Sequence, residues 1–209
     1  MSHDLKIRAR ILDVAREQFF SFGFTSVTME HIADLLGMSK KTLYQYFPSK
    51  DDLLGEITAA TMRDCNCKTE DILNDASLDF VEKLKSLMNF LMTQYSKMSP
   101  ALMQDLQRSA PELWKKVDEF RHECIMNDFG KLVDEGIEKG VFRRDVDGKL
   151  VLLIYRSAVE ALINPGVLAE LPYTALQVFD AIAKVVFEGT LTEEARPQYI
   201  PGHSVVEND

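Results

Sequence analysis

Apolar side chains recur at every third or fourth position along most of the chain, which is the spacing of helices that bury one face. The first such stretch runs from about Asp4 to Phe22 and is followed by Gly23, a residue that commonly ends helices. A second, short helix is predicted between Thr28, a good N-cap, and Gly37. The pattern therefore begins with two helices joined by a glycine-containing turn.

A third helix is predicted from about Ser39 to Tyr46, with Ser39 as its cap and Pro48 as its stop. Leu43 and Phe47, four residues apart, anchor its inner face, which leaves an outer face of polar and aromatic side chains. That outer face consists of Lys40, Lys41, Thr42, Tyr44, Gln45 and Tyr46. Three short helices with turns at glycines are the arrangement of a helix-turn-helix.

The same periodicity continues through the rest of the chain. Further helices are predicted over about 50–73, 78–98, 100–108, 111–139, 147–164 and 172–188. Pro172 is expected to open the last of them. From Thr190 onward the chain is polar and interrupted by Pro197 and Pro201, so a frayed tail is expected. The predicted fold is all-α, with about nine helices.

Composition places the charge unevenly. The 209 residues carry a net charge of -9 and are 46% hydrophobic, enough for a real core. Residues 1–50 hold seven basic and five acidic residues, a net charge of +2, whereas the remainder carries -11. A mildly basic head on an acidic body fits a DNA contact confined to one end. The chain has no run of about eighteen apolar residues and no signal-peptide core at its start, so a cytoplasmic protein with no membrane association is expected.

Three cysteines, Cys65, Cys67 and Cys124, are an odd and sparse set. Cys65 and Cys67 would point to nearly opposite sides of one helix, which is poor geometry for chelation. Reduced thiols are the favoured interpretation, and no metal or cofactor is expected. No catalytic set is found either: His122 and Cys124 lie two apart on a predicted helix and do not face each other. An enzyme is therefore not expected.

The third helix carries the chemistry of a DNA reader. Its N-terminus with two lysines attracts phosphate, lysine can also reach the major-groove edge of guanine, and glutamine suits adenine. Two alternatives stay open at this point. Lys40 and Lys41 can be an ordinary solvated face, and the tyrosines Tyr44 and Tyr46 can be core aromatics, although Leu43 and Phe47 already occupy the inner face.

Many positions agree with one known family at fixed spacing and with no gap. They are Ile11-Leu12-Asp13-Val14-Ala15, Phe19, Gly23-Phe24-Thr25-Ser26-Val27-Thr28, Ile32-Ala33, Gly37 through Phe47, and Ser49 through Leu54. This pattern, over about residues 7–57, resembles the DNA-binding domain of the TetR/AcrR family of transcriptional regulators. The remainder resembles the family only as an acidic helical body.

The resemblance implies roles for individual residues. Tyr44 and Lys50 would hold phosphates, and Thr28, His31 and Tyr46 would approach the DNA backbone. Reading of bases would fall to Ser39, Lys40, Lys41 and Thr42, with Gln45 or Met29 as further candidates. For His31 an inert surface position remains an equal alternative.

The helices over 147–164 and 172–188 are apolar nearly all round, so both of their sides must be covered. One side can pack on the body and the other on a second copy, giving a four-helix interface between two protomers. The candidate interface residues are Leu153, Arg156, Glu160, Val178, Ile182 and Val186. Arg156 and Glu160 can be an ion pair at the edge of this interface, or a pair that fixes dimer register or contacts a ligand.

The resemblance also implies a small-molecule effector pocket in the body. The candidate lining residues are Met62, Met88, Met92, Tyr95, Met103, Trp114 and Phe120, which are adaptable or aromatic. Simple core packing is the alternative for each of them. No charged or metal-binding set stands out in these helices, so an apolar effector of unknown identity is preferred.

These observations predict a homodimeric repressor that a small effector releases from a palindromic operator in double-stranded DNA. The predicted division is a helix-turn-helix DNA-binding domain at 1–50, an effector-binding and dimerisation domain at 51–189, and a polar tail at 190–209. The alternative is a helical ligand-binding or architectural protein whose helix-turn-helix packs on protein and not on DNA.

Overall fold

A computed structural model describes residues 3–97 and 99–199, and regular structure in these ranges is helical, which confirms the all-α prediction. The helices are α1 (His3–Phe22), α2 (Met29–Leu36), α3 (Lys40–Tyr46), α4 (Lys50–Asn74), α5 (Phe80–Lys97), α6 (Pro100–Ser109), α7 (Pro111–Glu123), α8 (Gly130–Glu138), α9 (Gly148–Leu162), α10 (Pro165–Glu170), α11 (Ala175–Ala183) and α12 (Arg196–Tyr199). Within these ranges no helix is both long and apolar enough to cross a membrane.

Two π-helical segments interrupt helices that periodicity alone predicts to be continuous. Cys124–Phe129 lies between α7 and α8, so the predicted helix over 111–139 has a local widening at its centre. Lys184–Glu188 continues α11 in the same way. The short α10 and α12 are below the length that a sequence period reveals, and they account for part of the excess over the predicted nine helices.

Local capping chemistry sets most helix starts. The Thr28 and Ser39 hydroxyls accept hydrogen bonds from the backbone N–H groups of His31 and Thr42, which confirms both predicted N-caps. The predicted start of the last long helix at Pro172 is wrong. Thr174 and Gln177 form a reciprocal capping box instead, which satisfies two backbone donors that would otherwise lack a partner.

The first of two compact units comprises the chain up to Lys68 together with Gln94–Arg121. It holds α1 to α3, most of α4, the end of α5, α6 and most of α7. Ile11, Phe19 and Leu43 are fully buried at its centre, and Leu102 and Leu106 bring α6 into the same core. This unit extends beyond the predicted 1–50 domain because α6 packs on α1. The functional division into domains stays a prediction.

Gly23 lies where α6 packs against the turn after α1. Its φ is +86°, and a Cβ at this position would lie 2.9 Å from Asp105 Oδ2 and 3.0 Å from Ala101 Cβ. Asp105 in turn accepts hydrogen bonds from Thr25, from the backbone N–H at 2.7 Å and from the hydroxyl at 2.8 Å. Glycine is thus required twice here, for its backbone conformation and for the approach of α6.

Two ion pairs join α1 to α4 at an eight-residue spacing on each helix. Arg8 pairs with Glu56, and Arg16 Nη1 lies 3.5 Å from Asp64 Oδ2. The arginine side chains are similarly exposed, at 34% and 32%. Arg8 also reaches α3, where its Nη1 donates to the Tyr46 carbonyl at 3.0 Å.

Within the described residues, the second compact unit comprises Thr69–Thr93 and the chain from His122 to Tyr199. An aromatic cluster forms its core: Phe187 lies 5.8 Å from Phe129 and 5.2 Å from Tyr155 between ring centroids, and Phe142 and Phe179 extend the cluster. These rings come from the two π-helical segments, α9, α11 and the loop after α8, so the cluster joins these segments into one core.

The expectation of a frayed tail from Thr190 is wrong for its first residues. Leu191 and Ala195 are buried, and residues 190 and 192 exchange backbone hydrogen bonds with residues 141 and 143. Leu191 faces Phe142 across an isolated antiparallel bridge. Two apolar side chains are enough to anchor a polar segment. Residues 200–209 lie outside the described ranges.

We expect Gly23→Ala to destabilise the protein more than Gly37→Ala. Gly37 also has positive φ, +66°, but nothing lies within 4 Å of its would-be Cβ. Gly37→Ala should therefore cost roughly 1–2 kcal/mol of unfolding free energy, the penalty for a left-handed alanine. Gly23→Ala should cost at least about 1 kcal/mol more, because α6 must also shift. Urea unfolding followed by circular dichroism, at one protein concentration, measures both. Equal losses would mean that α6 does not approach Gly23 this closely.

Candidate nucleic-acid interface

The turn between α2 and α3 is built around Gly37. Its φ of +66° lets its N–H donate to Asp34 O at 3.1 Å while Met38 N–H donates to Ala33 O at 3.0 Å, which closes the end of α2. Ser39 then caps α3 at once. Met38 is the single residue between the C-cap of α2 and the N-cap of α3. The direction of α3 relative to α2 is therefore closely constrained.

The inner face of α3 is buried as predicted. Leu43 and Phe47 are 0% and 1% exposed. Their burial determines the rotation of α3 about its own axis, and so determines which side chains face outward. The outward residues are Ser39, Lys40, Lys41, Tyr44 and Gln45, which are exposed, and Thr42 and Tyr46, which are half-buried.

The two lysines at the start of α3 differ in their surroundings. Lys40 Nζ lies 3.8 Å from the Glu30 carboxylate of α2, a pair with both side chains more than half exposed. Within the described residues no acidic group pairs with Lys41 in this way. At a helix N-terminus the backbone N–H groups and these ammonium groups favour an anion.

The start of α2 supplies two exposed polar side chains and one buried one. Thr28 is exposed although its hydroxyl caps the helix, and His31 Nε2 lies 3.2 Å from Gln18 Oε1. Met29, in contrast, is 4% exposed and belongs to the hydrophobic core with Ile32. Because its side chain points into the core, Met29 is placed away from the surface that carries the other candidates.

Tyr46 sits at the end of α3 beside the start of α1. Its hydroxyl donates a hydrogen bond to Asp4 Oδ1 at 3.2 Å. Partial burial raises the pKa of Tyr46, and the hydrogen bond and negative charge of Asp4 raise it further. The phenol therefore stays protonated at neutral pH and remains a hydrogen-bond donor.

Lys50, the first residue of α4, lies against aromatic rings. Its Nζ is 4.2 Å from the centroid of Phe24 and 5.9 Å from that of Phe19. Burial lowers the pKa of Lys50, and the carboxylates of Asp105 and Asp51 act in the opposite direction. The ammonium is thus held in place at the edge of the unit by the ring faces.

Arg8 is the residue of this region that sequence reasoning missed. Its guanidinium donates to the Tyr46 carbonyl at 3.0 Å, pairs with Glu56, and lies 4.4 Å above the Phe47 ring. The available signal was its place three residues before Ile11, on the inner side of α1. That signal identifies a helix face, but not the end of α3 as its partner.

The candidate pocket residues are divided between the two units. Met103 and Met88 are buried, and Met62, Met92, Trp114 and Phe120 are half-buried. Trp114 stacks with Arg121, whose guanidinium carbon is 5.2 Å from the ring centroid. The side chain of Tyr95 lies outside the described residues. The predicted effector pocket stays a prediction.

The candidate dimer residues separate into buried and surface positions. Val178 and Ile182 are 7% and 6% exposed within the core of their own unit, while Leu153 and Val186 are half-buried. Arg156 Nε lies 2.8 Å from Glu160 Oε1 and Arg156 Nη1 lies 2.9 Å from His122 Nδ1. The Arg156–Glu160 ion pair is present, and whether it borders an interface, fixes dimer register or contacts a ligand stays a prediction.

Large apolar side chains are exposed beside these positions. Leu150, Ile154 and Val185 are 57%, 60% and 77% exposed. Leu150 and Ile154 are four apart and therefore share one stripe of α9. The exposed apolar side chains of the second unit thus differ from the buried candidates Val178 and Ile182.

Among the described residues no group of three or more His, Cys, Asp or Glu side chains is placed to hold a metal ion. The polar groups of the α2–α3 surface are ammonium groups, hydroxyls, an amide and an imidazole. Such groups donate hydrogen bonds and attract anions, which is what a phosphate backbone and base edges require.

Comparison with known proteins gives the same interpretation of this region. The family model described as "Bacterial regulatory proteins, tetR family" matches residues 11–57, the segment from the buried face of α1 to the first turns of α4. The matched segment contains α2, α3 and the Gly37 turn in full.

Similar proteins extend over nearly the whole chain. The HTH-type transcriptional regulator YvaF of Bacillus subtilis is 25% identical over 191 residues, which are 91% of this chain and 97% of that protein. The HTH-type transcriptional repressor KstR2 of Mycobacterium tuberculosis is 27% identical over 192 residues, 89% of this chain and 94% of its own.

Two solved structures show the same fold. The ketosteroid transcriptional regulator KstR2 of Mycobacterium tuberculosis superposes with a TM-score of 0.58 at 25% identity, over 89% of this chain and 95% of that one. The fatty acid degradation regulator FadR from Bacillus halodurans superposes with a TM-score of 0.62 at 25% identity, over 87% and 95%.

Proposed function

We propose that the chain is a regulator of the tetR family and a homodimeric repressor that leaves a palindromic operator when a small apolar effector binds. The match of residues 11–57 to that family and the similar regulators over nearly the whole chain support this. Its DNA-binding, regulatory character follows from the family. The homodimer, the operator and the effector are the proposal. The observation that carries it is the outer face of α3, where Lys40, Lys41, Tyr44 and Gln45 are exposed over a buried Leu43.

The proposed DNA contact has two parts. Ser39, Lys40, Lys41, Thr42 and Gln45 lie on the turns of α3 that would enter the major groove and read base edges. Lys41 is the stronger reader of the two lysines, since Glu30 competes for Lys40. Met29 is not retained as a reader because its side chain is in the core.

The backbone contacts would come from the rim of the same surface. Tyr44 is 40% exposed, and Thr28 and His31 are exposed beside it at the start of α2. Tyr46 and Lys50 have partners in the free protein, Asp4 and the Phe24 ring. A phosphate oxygen would replace the Asp4 carboxylate as acceptor for the Tyr46 hydroxyl, and would draw the Lys50 ammonium outward.

A second copy of the chain is the proposed cover for the exposed apolar side chains of α9 and the segment after α11. Leu150, Ile154 and Val185 would otherwise remain in water, and large contiguous apolar patches are typical of protein interfaces. Arg156 and Glu160 lie on the adjoining face as a polar border. A palindromic operator matches such a dimer, because each half-site needs its own α3.

The proposed effector is apolar and would shift a population of conformations. Two similar structures are named for a ketosteroid regulator and a fatty acid degradation regulator, and both of those compound classes are largely apolar. The candidate lining residues are thioethers and aromatic rings, which suit such compounds. α4 begins beside α3 and continues into the second unit, so a ligand that favours one position of α4 would change DNA affinity.

Non-enzymatic action and a location in the cytoplasm belong to the same proposal. The alternative, a helix-turn-helix that packs on protein, predicts that the exposed face of α3 has no salt-dependent affinity for DNA. Titration of the protein with DNA at several salt concentrations separates these two functions.

The first prediction concerns the DNA contact. The probe is a duplex that the unmodified protein selects from a random-sequence library. Lys40→Ala/Lys41→Ala should lower affinity for this duplex by about tenfold or more, because two ammonium groups proposed to read base edges are lost. Lys115→Ala/Lys116→Ala, another exposed adjacent pair on α7, removes the same charge and should bind normally. Fluorescence anisotropy over a salt series measures both variants. Unchanged affinity of the first variant, or an equal loss in both, contradicts the assignment.

The second prediction concerns the dimer. Ile154→Lys places a charge in the proposed interface and should weaken dimerisation by about 100-fold or more. Phe22→Lys is the matched control, since Phe22 is also 60% exposed but belongs to the other unit. Sedimentation equilibrium measures both dissociation constants. A dimer that tolerates Ile154→Lys, or that both variants weaken equally, would show that this surface is not the interface.

The third prediction concerns the effector. We expect steroids or long-chain fatty acids to bind the folded protein. At a ligand concentration 100 times its Kd, such a compound should stabilise the protein by about 2.7 kcal/mol and raise its unfolding temperature. The same compounds should lower its affinity for the selected duplex. A thermal-shift screen followed by anisotropy tests both effects. Binding without a loss of DNA affinity would sink the proposed release mechanism, and failure of both compound classes to bind would sink the proposed effector chemistry.

A further inference from the structure

The backbone carbonyls at the C-terminal end of α3 have few local hydrogen-bond donors. Phe47 N–H bonds the Leu43 carbonyl, but Phe47 itself is extended, with φ of -135°, and Pro48 follows with no N–H. The last carbonyls of a helix lack partners within the helix and carry its negative dipole end. A cation from elsewhere in the fold is a suitable partner for them.

Arg8 of α1 supplies that cation. Its Nη1 donates to the Tyr46 carbonyl at 3.0 Å, although the two residues are 38 apart in sequence. The guanidinium carbon lies 4.4 Å above the ring of Phe47, which anchors α3 in the core. Arg8 therefore contacts the end of α3 at two points, the backbone carbonyl of Tyr46 and the buried ring of Phe47.

The same guanidinium is tied to a third helix. Arg8 Nη2 pairs with Glu56 Oε1 on α4. One side chain thus contacts α1, α3 and α4, which are the helix that carries it, the recognition helix and the helix that continues into the second unit. With one nitrogen on a carbonyl, another on a carboxylate and a ring below its face, the guanidinium is engaged by partners within this unit.

We infer that Arg8 is a positioning residue for DNA recognition: it sets the place of the C-terminal end of α3 relative to α4 and makes no contact with DNA. This rests on the proposed function. Loss of Arg8 would leave the Tyr46 carbonyl and Glu56 without their partner and α3 free to tilt about its capped N-terminus. The readers of base edges would then be displaced, whereas the charge facing the phosphates would be unchanged.

The inference predicts a particular pattern of loss. Removal of the charge-assisted hydrogen bond from Arg8 to α3 should lower affinity for the specific duplex by about tenfold. Affinity for a duplex of unrelated sequence should fall by less than twofold, and the salt slope should not change, because no phosphate contact is removed. An arginine that touched phosphate would weaken both duplexes alike and lower the slope by about one.

Arg16 provides a matched control. It makes the other α1–α4 ion pair, with Asp64, and its side-chain exposure of 32% is close to the 34% of Arg8. Its ion-pair partner lies on α4 and not on α3. Arg16→Ala should therefore retain specific affinity, whereas Arg8→Ala should lose about tenfold. Arg8→Lys keeps the charge but lacks the planar fork, so it should lose specific affinity in the same direction with the same slope. If Arg8→Ala does not fold, Arg8→Lys replaces it in the comparison with Arg16→Ala.

The experiment is an anisotropy titration of the full chain and these three variants. The probes are the duplex that the unmodified protein selects from a random library and a scrambled duplex, each at several salt concentrations, with thermal melts confirming folding. If the unmodified protein selects no duplex, the proposed function fails and the inference fails with it. If it selects one, then normal binding by Arg8→Ala, an equal loss in Arg16→Ala, or a lowered salt slope overturns the inference alone.

Discussion

α3 has seven residues, fewer than a helix needs to persist alone in water, so its order comes from what surrounds it. Its N-terminus is capped by Ser39 two residues after the left-handed Gly37, its inner side is held by Leu43 in the core, and its far end bonds Arg8. These constraints act at the start, the middle and the end of the helix. The surface that faces outward is a product of all of them.

The same dependence extends to α6. Asp105 bonds Thr25 in the turn between α1 and α2, and Gly23 gives α6 the room to approach. The negative charge of Asp105 also acts to raise the pKa of Lys50 at the start of α4. α6 therefore belongs to the same unit as α3, although it comes later in the chain. A movement of α6 would also displace the turn that precedes α2, because Asp105 is bonded to Thr25.

The helices and their caps were predictable because the information is local. Ser39 as a cap, Gly37 as a stop and the buried inner face of α3 each depend on neighbours within four residues, and all were confirmed. Met29 was misplaced because helix phase at a first turn is ambiguous from sequence: the residue after a cap can face either side. Arg8 was missed because its partners are 38 or more residues away. Distances of that kind are set by packing, which a periodic pattern does not encode.

The separation of the two faces of α3 has an evolutionary consequence. Lys40, Lys41, Tyr44 and Gln45 contribute little to the core, whereas Leu43 between them is fully buried. Substitutions at the four outer positions are nearly free of a folding cost, so they can accumulate without a compensating change elsewhere. A lineage can thus exchange one target sequence for another by drifting across a stable scaffold, and duplicated copies can diverge in target while keeping one architecture.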